Sequence, residues 1–285
     1  MRKILFLLGF VALSIATLGI YSCQKSEDNN KSKIEEGRTI SDEYIDLIGE
    51  KHNEFLKIIL NNNYSATDKF EGLLVQKQML LEKHLNGVES GSHIKGLFSK
   101  NINDGNKGEQ YSQTLRDNLS DKSNFIYFQK VLDFLRDESK NKDVDAISDF
   151  VEKIKNQMLK EDVNVRDYEA FLVFTSVLKK SSEFWLPKKL GGQGQYAYYK
   201  NTLKRIVYMS NSENSNSESA GDDDKWRRCL SDVLEADGMS ASIGFIISAG
   251  VAAGSGGTLA IPALIGVAIE SGATSAWAYY RSSNC

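Results

Sequence analysis

Histidines, cysteines and clustered carboxylates are the side chains from which reactive and metal sites are built, and this chain has few of the first two. Its 285 residues include three histidines and three cysteines. His52 and His84 fall on or beside apolar stripes of helical spacing, where a hydrogen-bonded core or boundary histidine is expected, and His93 sits in a polar stretch. Their spacing is not that of a zinc site, which needs closely placed ligands backed by a second group. Gly191-Gly192-Gln193-Gly194, flanked by Lys188 and Lys189, has the composition of a phosphate-cradling loop. No strand pattern precedes it and no Gly-Lys-Ser/Thr closes it, so a helix-breaking loop after Pro187 is predicted. Asp222-Asp223-Asp224 lacks the alternating oxygen ligands and terminal glutamate of a calcium loop. No catalytic residue, metal site or cofactor is therefore expected, and the chain reads as non-enzymatic. The informative residues are Cys23, Cys229 and Cys285.

Cys23 ends an export-like segment. Arg2 and Lys3 precede 17 uncharged residues, Ile4 to Ile20, and polar Gln24-Lys25-Ser26-Glu27-Asp28-Asn29-Asn30 follows the cysteine. A basic start, an apolar core and a small residue before a cut site describe a signal peptide. About 17 apolar residues is also the lower edge of a membrane span, but no basic stop-transfer cluster follows. Ile20-Tyr21-Ser22-Cys23 resembles the lipobox of bacterial lipoproteins, and Lys25-Ser26-Glu27-Asp28 resembles the export signal of Bacteroidetes-type surface lipoproteins. The resemblance implies removal of residues 1–22 and acylation of Cys23, as by palmitate. It implies localisation in the cell envelope, in the outer membrane and surface-exposed. Residues 23–40 then read as a polar tether without apolar periodicity.

Cys229 and Cys285 bracket the most unusual composition. The 32 residues from Gly238 to Ile269 carry no charge and are rich in Gly, Ala and Ser. Gly254, Gly256 and Gly257 interrupt the run, and Pro262 follows where a second helix would begin, in the first turn that proline tolerates. The two cysteines lie 28 residues either side of Gly257. In an antiparallel helical hairpin turning there, they would face each other, and a disulfide is predicted to close the open end. By the disputed chain-entropy model it would contribute about 4 kcal/mol; two reduced, buried thiols are the alternative. Ser240, Gly244, Ser248 and Ala252 recur every four residues, and Ala268 and Gly272 continue the theme on the second arm. Small residues at this spacing let helix backbones approach closely, in membranes and in soluble hairpins alike. The first uncharged arm, 238–253, is shorter than a hydrocarbon core, and Glu270 interrupts the second. Trp226, Trp277, Tyr279 and Tyr280 gather at the cysteine end, as an interfacial anchor or as packing against the rest of the chain. The segment resembles the glycine-rich, two-cysteine helical modules of bacteriocin-like and glycine-zipper proteins, which implies membrane activity as an alternative to a structural role.

These segments must be positioned by the region between them. Two prolines in the whole chain remove the main helix breaker, and apolar residues fall at helical spacing from Ser41 onward. Tyr44, Ile48, His52, Phe55 and Ile59 make one stripe, with Ser41 as N-cap and Asn61-Asn62-Asn63 as its end. Phe70, Leu73, Leu74, Leu81 and Leu85 make another, and residues 87–110 read as a long loop. Phe125 to Leu135, Val144 to Met158, Tyr168 to Trp185 and Tyr198 to Val207 add further stripes, with acidic residues on their solvated faces. Phe171-Leu172-Val173-Phe174 alone is also compatible with a strand. The expected fold is all-α: six to seven helices over 41–210, a Ser/Asn/Asp-rich linker over 211–224, and the disulfide-closed hairpin over 225–285. Thirty-five basic against 38 acidic residues, a net charge of −3, supply no basic surplus for nucleic acid. The expected partners are a membrane, through the lipid on Cys23, and an unidentified surface protein or target membrane.

Overall fold

The computed structural model describes residues 33–34, 36–61, 69–85, 108–137, 142–161, 163–199, 222–254 and 260–282. Among them there are helices and turns and no strand. The helices are α1 (Asp42–Asn61), α2 (Lys69–Leu85), α3 (Gly108–Asn118), α4 (Phe125–Arg136), α5 (Val144–Lys160), α6 (Val165–Trp185), α7 (Asp222–Gly254) and α8 (Ala260–Ser282). Short 3₁₀ turns occupy Lys122–Asn124 and Lys188–Leu190. The all-α expectation holds for the described residues.

Local chemistry explains where several helices start. Ser41 opens α1 as predicted: its Oγ accepts from the Tyr44 amide at 3.4 Å and its carbonyl accepts from the Ile45 amide at 3.1 Å. Asp143 caps α5 by accepting from the Ala146 amide, and Asn164 caps α6 by accepting from the Arg166 amide. Each satisfies an amide that has no partner inside its own helix. Asp222-Asp223-Asp224, assigned to the linker by composition, instead forms the first turn of α7. Acidic residues suit that position because the helix dipole leaves partial positive charge there. The long polar loop also ends earlier than expected, since α3 begins at Gly108. Only Tyr111 and Leu115 mark its apolar face, too few to show a period.

Four helices close a ring. α7 lies against α8, α8 against α1, α1 against α6, and α6 against α7. α2 covers α8 and α1, α3 covers α7, α5 covers α6, and α4 bridges α5 and α7. The glycine-rich hairpin thus supplies half of the central ring. Every residue from Asp167 to Leu178 on α6 is buried, as is every residue from Val233 to Ile246 on α7. A helix surrounded on all sides has no polar face, which is why Phe171-Leu172-Val173-Phe174 reads like a strand when taken alone. The Phe171 and Phe174 rings both meet Phe128 of α4 edge-on, at 5.2 and 5.4 Å between centroids.

The small residues of the hairpin set how near its helices come to their neighbours. At Gly272 of α8 a β-carbon would lie 3.2 Å from the His52 carbonyl oxygen and 3.3 Å from the Leu56 amide nitrogen, both backbone atoms of α1. At Gly238 of α7 it would lie 2.8 Å from the Phe174 ring. Ala268 is fully buried, and Ser240 and Ser248 are buried with hydroxyls bonded to their own helix, at the Asp237 and Gly244 carbonyls. Gly244 is buried on the same helix. Ala252 lies in the last turn of α7 and Gly254 ends it, while Gly256 and Gly257 lie outside the described residues. Gly272→Val should push α8 from α1 and cost about 1–3 kcal/mol by overpacking. Urea unfolding of the variant checks this; an unchanged midpoint would mean the contact is not tight.

Candidate functional site

Three carboxylates of the hairpin face inward rather than to solvent. Glu235 and Asp237 on α7 and Glu270 on α8 are all buried, and each meets groups from the surrounding body. Burial of a charge is costly unless it is paired or hydrogen-bonded. The way each is accommodated defines the site.

Glu270 forms an ion pair with Lys77 of α2, both side chains almost wholly enclosed. Burial raises the Glu270 pKa and the lysine opposes that rise; the Tyr111 hydroxyl of α3, raised mainly by its own burial, feels the same carboxylate. Glu235 takes a two-pronged contact from Arg136 of α4, with Nε at 2.8 Å and Nη2 at 2.7 Å. Burial again pushes the Glu235 carboxyl up, against the guanidinium. Asp237 is fully buried on α7. Ser181 of α6 donates to its Oδ2, and the ring of His52, on the diagonally placed α1, comes within 3.7 Å of the same oxygen. Trp185 of α6 donates its Nε1–H to Ser275 of α8 at 3.2 Å beside them. One polar side chain or more from each of the four ring helices meets at this junction. Burial lifts the Asp237 pKa to about 7 and lowers that of His52 to about 4.

Neutral hydrogen bonds stitch the same helices together. Ser242 donates to the Ala170 carbonyl at 2.9 Å, Ser231 to the Leu135 carbonyl at 2.7 Å, and Ser176 to the Ile45 carbonyl at 2.9 Å. Arg166 reaches the Ile246 carbonyl at 2.7 Å. Two further buried carboxylates organise loops rather than the hairpin. Asp167 accepts from the Ser120 and Asp121 amides and Asn124, and Glu169 accepts from the Thr39 and Ile40 amides. These two depart from the expected solvated acidic face. Their signal was absent from the sequence, because an inward carboxylate follows the same helical spacing as an outward one.

The predicted sites divide accordingly. His52 is a buried, hydrogen-bonded core histidine, and His84 is half-buried with its ring edge-on to Phe55 at 5.0 Å. His93, Cys23 and Cys285 lie outside the described residues. Cys229 is buried, and Cys285, its expected partner, lies outside the described residues. Tyr279 stacks on Trp185 at 5.0 Å and meets Tyr196 edge-on, and Tyr280 is buried beside it, so these two rings pack against the body. Trp277 is partly buried, and the side chain of Trp226 is outside the described set. In the Pro187–Gly194 loop the amides of Leu190, Gly191, Gly192, Gln193 and Gly194, the glycine cluster included, donate to carbonyls of the chain itself and do not point into a phosphate cradle. Among the described residues no three His, Cys, Asp or Glu side chains gather as a metal-binding group. Nor is any described helix long and apolar enough to cross a membrane.

No known protein family, characterised protein or solved structure matches this chain. The chemistry of the site must therefore be read from its own geometry. That geometry is a buried polar seam joining the hairpin to the body. Lys77→Met should cost about 3–5 kcal/mol, because it leaves Glu270 buried without its cation. Glu270 would then stay neutral in the fold, so its folded pKa would rise further above the unfolded value. The penalty is thus greater at about pH 8 than at about pH 5. Adding Glu270→Leu should return most of the loss in a double-mutant cycle of denaturation free energies.

Proposed function

We propose that this chain is a lipid-anchored protein of the bacterial cell envelope, non-enzymatic, whose helical body serves as a structural or binding module. Its C-terminal hairpin is a permanent part of that body. The anchor is the acylated Cys23, reached through the tether of residues 23–40, and outer-membrane attachment with surface exposure follows from the export-like segment after it. Cys229 pairs with Cys285 to close the hairpin. One observation carries the structural role: Glu270, the sole charge interrupting the second arm's apolar run, is buried against Lys77 of the body. A hairpin built to leave the body would abandon that pair and expose an apolar surface that α1, α2 and α6 now cover.

The second reading is a bacteriocin-like effector in which the hairpin enters a target membrane. The 32 uncharged residues from Gly238 to Ile269 favour it. The two readings differ in what the intact protein does to lipid. The full chain should leave dye-loaded vesicles of mixed neutral and anionic lipid intact near neutral pH, and rapid release would support the effector. Cys23→Ala should yield an uncleaved or soluble form on membrane fractionation. If it migrates and partitions like the parent, the lipid anchor is wrong. Peptide mapping without reductant should recover a Cys229–Cys285 cross-link.

A further inference from the structure

The end of the N-terminal tether is held to the body. Ile34 and Ile40 are buried in the core. Glu169 of α6, itself buried, accepts from the Thr39 amide at 2.5 Å, the Ile40 amide at 2.9 Å and the Thr39 hydroxyl at 3.1 Å. A carboxylate shut away from water needs donors, and two successive backbone amides ahead of α1 supply them. Arg38 pairs with Asp42 in the first turn of α1 at 2.6 Å, and a β-carbon at Gly37 would meet the Val165 side chain at 3.0 Å. The chain is thus strapped to the start of α6 and is not released at Ser41.

The closed end of the hairpin lies at this same end of the ring. α6 and α7 run antiparallel: Arg166 reaches the Ile246 carbonyl at 2.7 Å, Ser242 reaches the Ala170 carbonyl at 2.9 Å, and Phe174 lies against Gly238. α1 runs parallel to α6, with Ser176 bonded to the Ile45 carbonyl and Asn53 to the Lys180 carbonyl. The starts of α1 and α6, the end of α7 at Gly254 and the start of α8 at Ala260 therefore share one end. From Ile246 to Gly254, α7 projects about 12 Å further. No charge occurs from Gly238 to Ile269. Ile261, in the first turn of α8, is an exposed large apolar side chain. Ile126 is another, in the first turn of α4, which Asn124 ties to Asp167 at the same end. The opposite end, past Trp185, instead exposes Lys188 and Lys189.

Tether length selects between the two ends. Lys33 lies ten residues after Cys23 (33 − 23). Ten residues span at most about 35 Å when fully extended and about 18 Å on average as a flexible chain. Seating the hairpin's closed end on the bilayer asks the tether to cover only about the 12 Å of that projection. Seating the opposite end asks it to run the length of α6 as well, 21 residues or about 31 Å, which is almost its full extension.

We propose that the closed end of the hairpin, with Ile261 at its rim, is a membrane-contact surface resting on the bilayer that holds Cys23, and that the Glu169 strap sets this orientation. The inference rests on the lipid-anchor reading above. The contact is superficial, because Glu270 stays paired with Lys77 and the arms stay docked in the body.

The test uses the full acylated chain on vesicles of phosphatidylcholine and phosphatidylglycerol carrying a phospholipid with a photoreactive group near its headgroup. After flotation and illumination, mass spectrometry maps the lipid adducts. They should concentrate at Ala260–Pro262 and be several times scarcer at Lys188–Leu190. Ile261→Glu, at an exposed position, should lose most of these adducts and still float. Inserting about 20 Gly/Ser residues after Asn30 triples the span and should lower the yield at Ile261 about fivefold, because effective concentration falls as the −3/2 power of tether length. Adducts shared equally between the two ends, or a yield unmoved by either change, overturn the proposal. Adducts at Val267 and Ile269 overturn it too, since they place the buried arm inside the bilayer. A chain that does not float refutes the lipid anchor and this inference with it. A floating chain without adducts at Ile261 refutes this inference alone.

Discussion

The burial of three carboxylates in a hairpin whose central run carries no charge from Gly238 to Ile269 is the constraint on which the remaining architecture depends. An enclosed carboxylate needs a partner within hydrogen-bonding reach, and the hairpin holds few donors of its own. Glu270 draws in α2 through Lys77, Glu235 draws in α4 through Arg136, and Asp237 draws in α1 and α6 through His52 and Ser181. Apolar packing alone is permissive about register, because a helix can slide by a turn and still bury leucines. Fixed polar contacts are not permissive, since each mismatch strands a group in the core. The seam therefore specifies where the hairpin sits, while the apolar contacts supply most of the stabilisation.

Close approach is the other half of that arrangement. The Gly272 and Gly238 contacts bring α8 onto the α1 backbone and α7 onto the Phe174 ring. With bulkier residues there, Ser242 would not reach the Ala170 carbonyl at 2.9 Å, nor would His52 come within 3.7 Å of Asp237. Small side chains and buried polar groups thus belong to one device: the first shortens the distance that the second must span. The same glycine, alanine and serine composition serves in membranes because it does the same thing there. Composition by itself does not distinguish the two settings; the carboxylates and their partners do.

Much of the helical framework was legible because amphipathic stripes and caps are local. Ser41 opening α1, the stripes of α4 and α5, the end of α7 at Gly254 and the start of α8 within two residues of Pro262 all follow from neighbouring residues. The seam was not legible, because a buried carboxylate is written with the same letter as a solvated one. Nothing near Asp237 announces that His52, 185 positions earlier, will face it across the ring. α3 was missed for a related reason, since two apolar residues in eleven give no period. The start of α7 was missed because three aspartates read as linker rather than as a first turn. His52 on an apolar stripe was the one member of the junction that spacing marked as buried.

The hairpin's charge pattern also bears on how the chain avoids exposing it. Once the carboxylates are engaged, α7 and α8 have apolar and small residues in contact with α1, α2, α3 and α6 on nearly every side. Breaking one polar contact leaves its partner stranded: freeing Glu270 strands Lys77, and freeing Asp237 leaves Ser181 and His52 without it. The costs of partial opening therefore fall on both sides of each pair, so intermediate states with one contact broken are disfavoured relative to the closed and fully open forms. A seam of this kind makes the hairpin's attachment cooperative. Cooperativity matters most for a segment whose uncharged run would associate with membranes or with other copies if it were exposed piecemeal. The placement of one polar side chain or more on each ring helix, instead of several on one, is what couples all four helices to the same event.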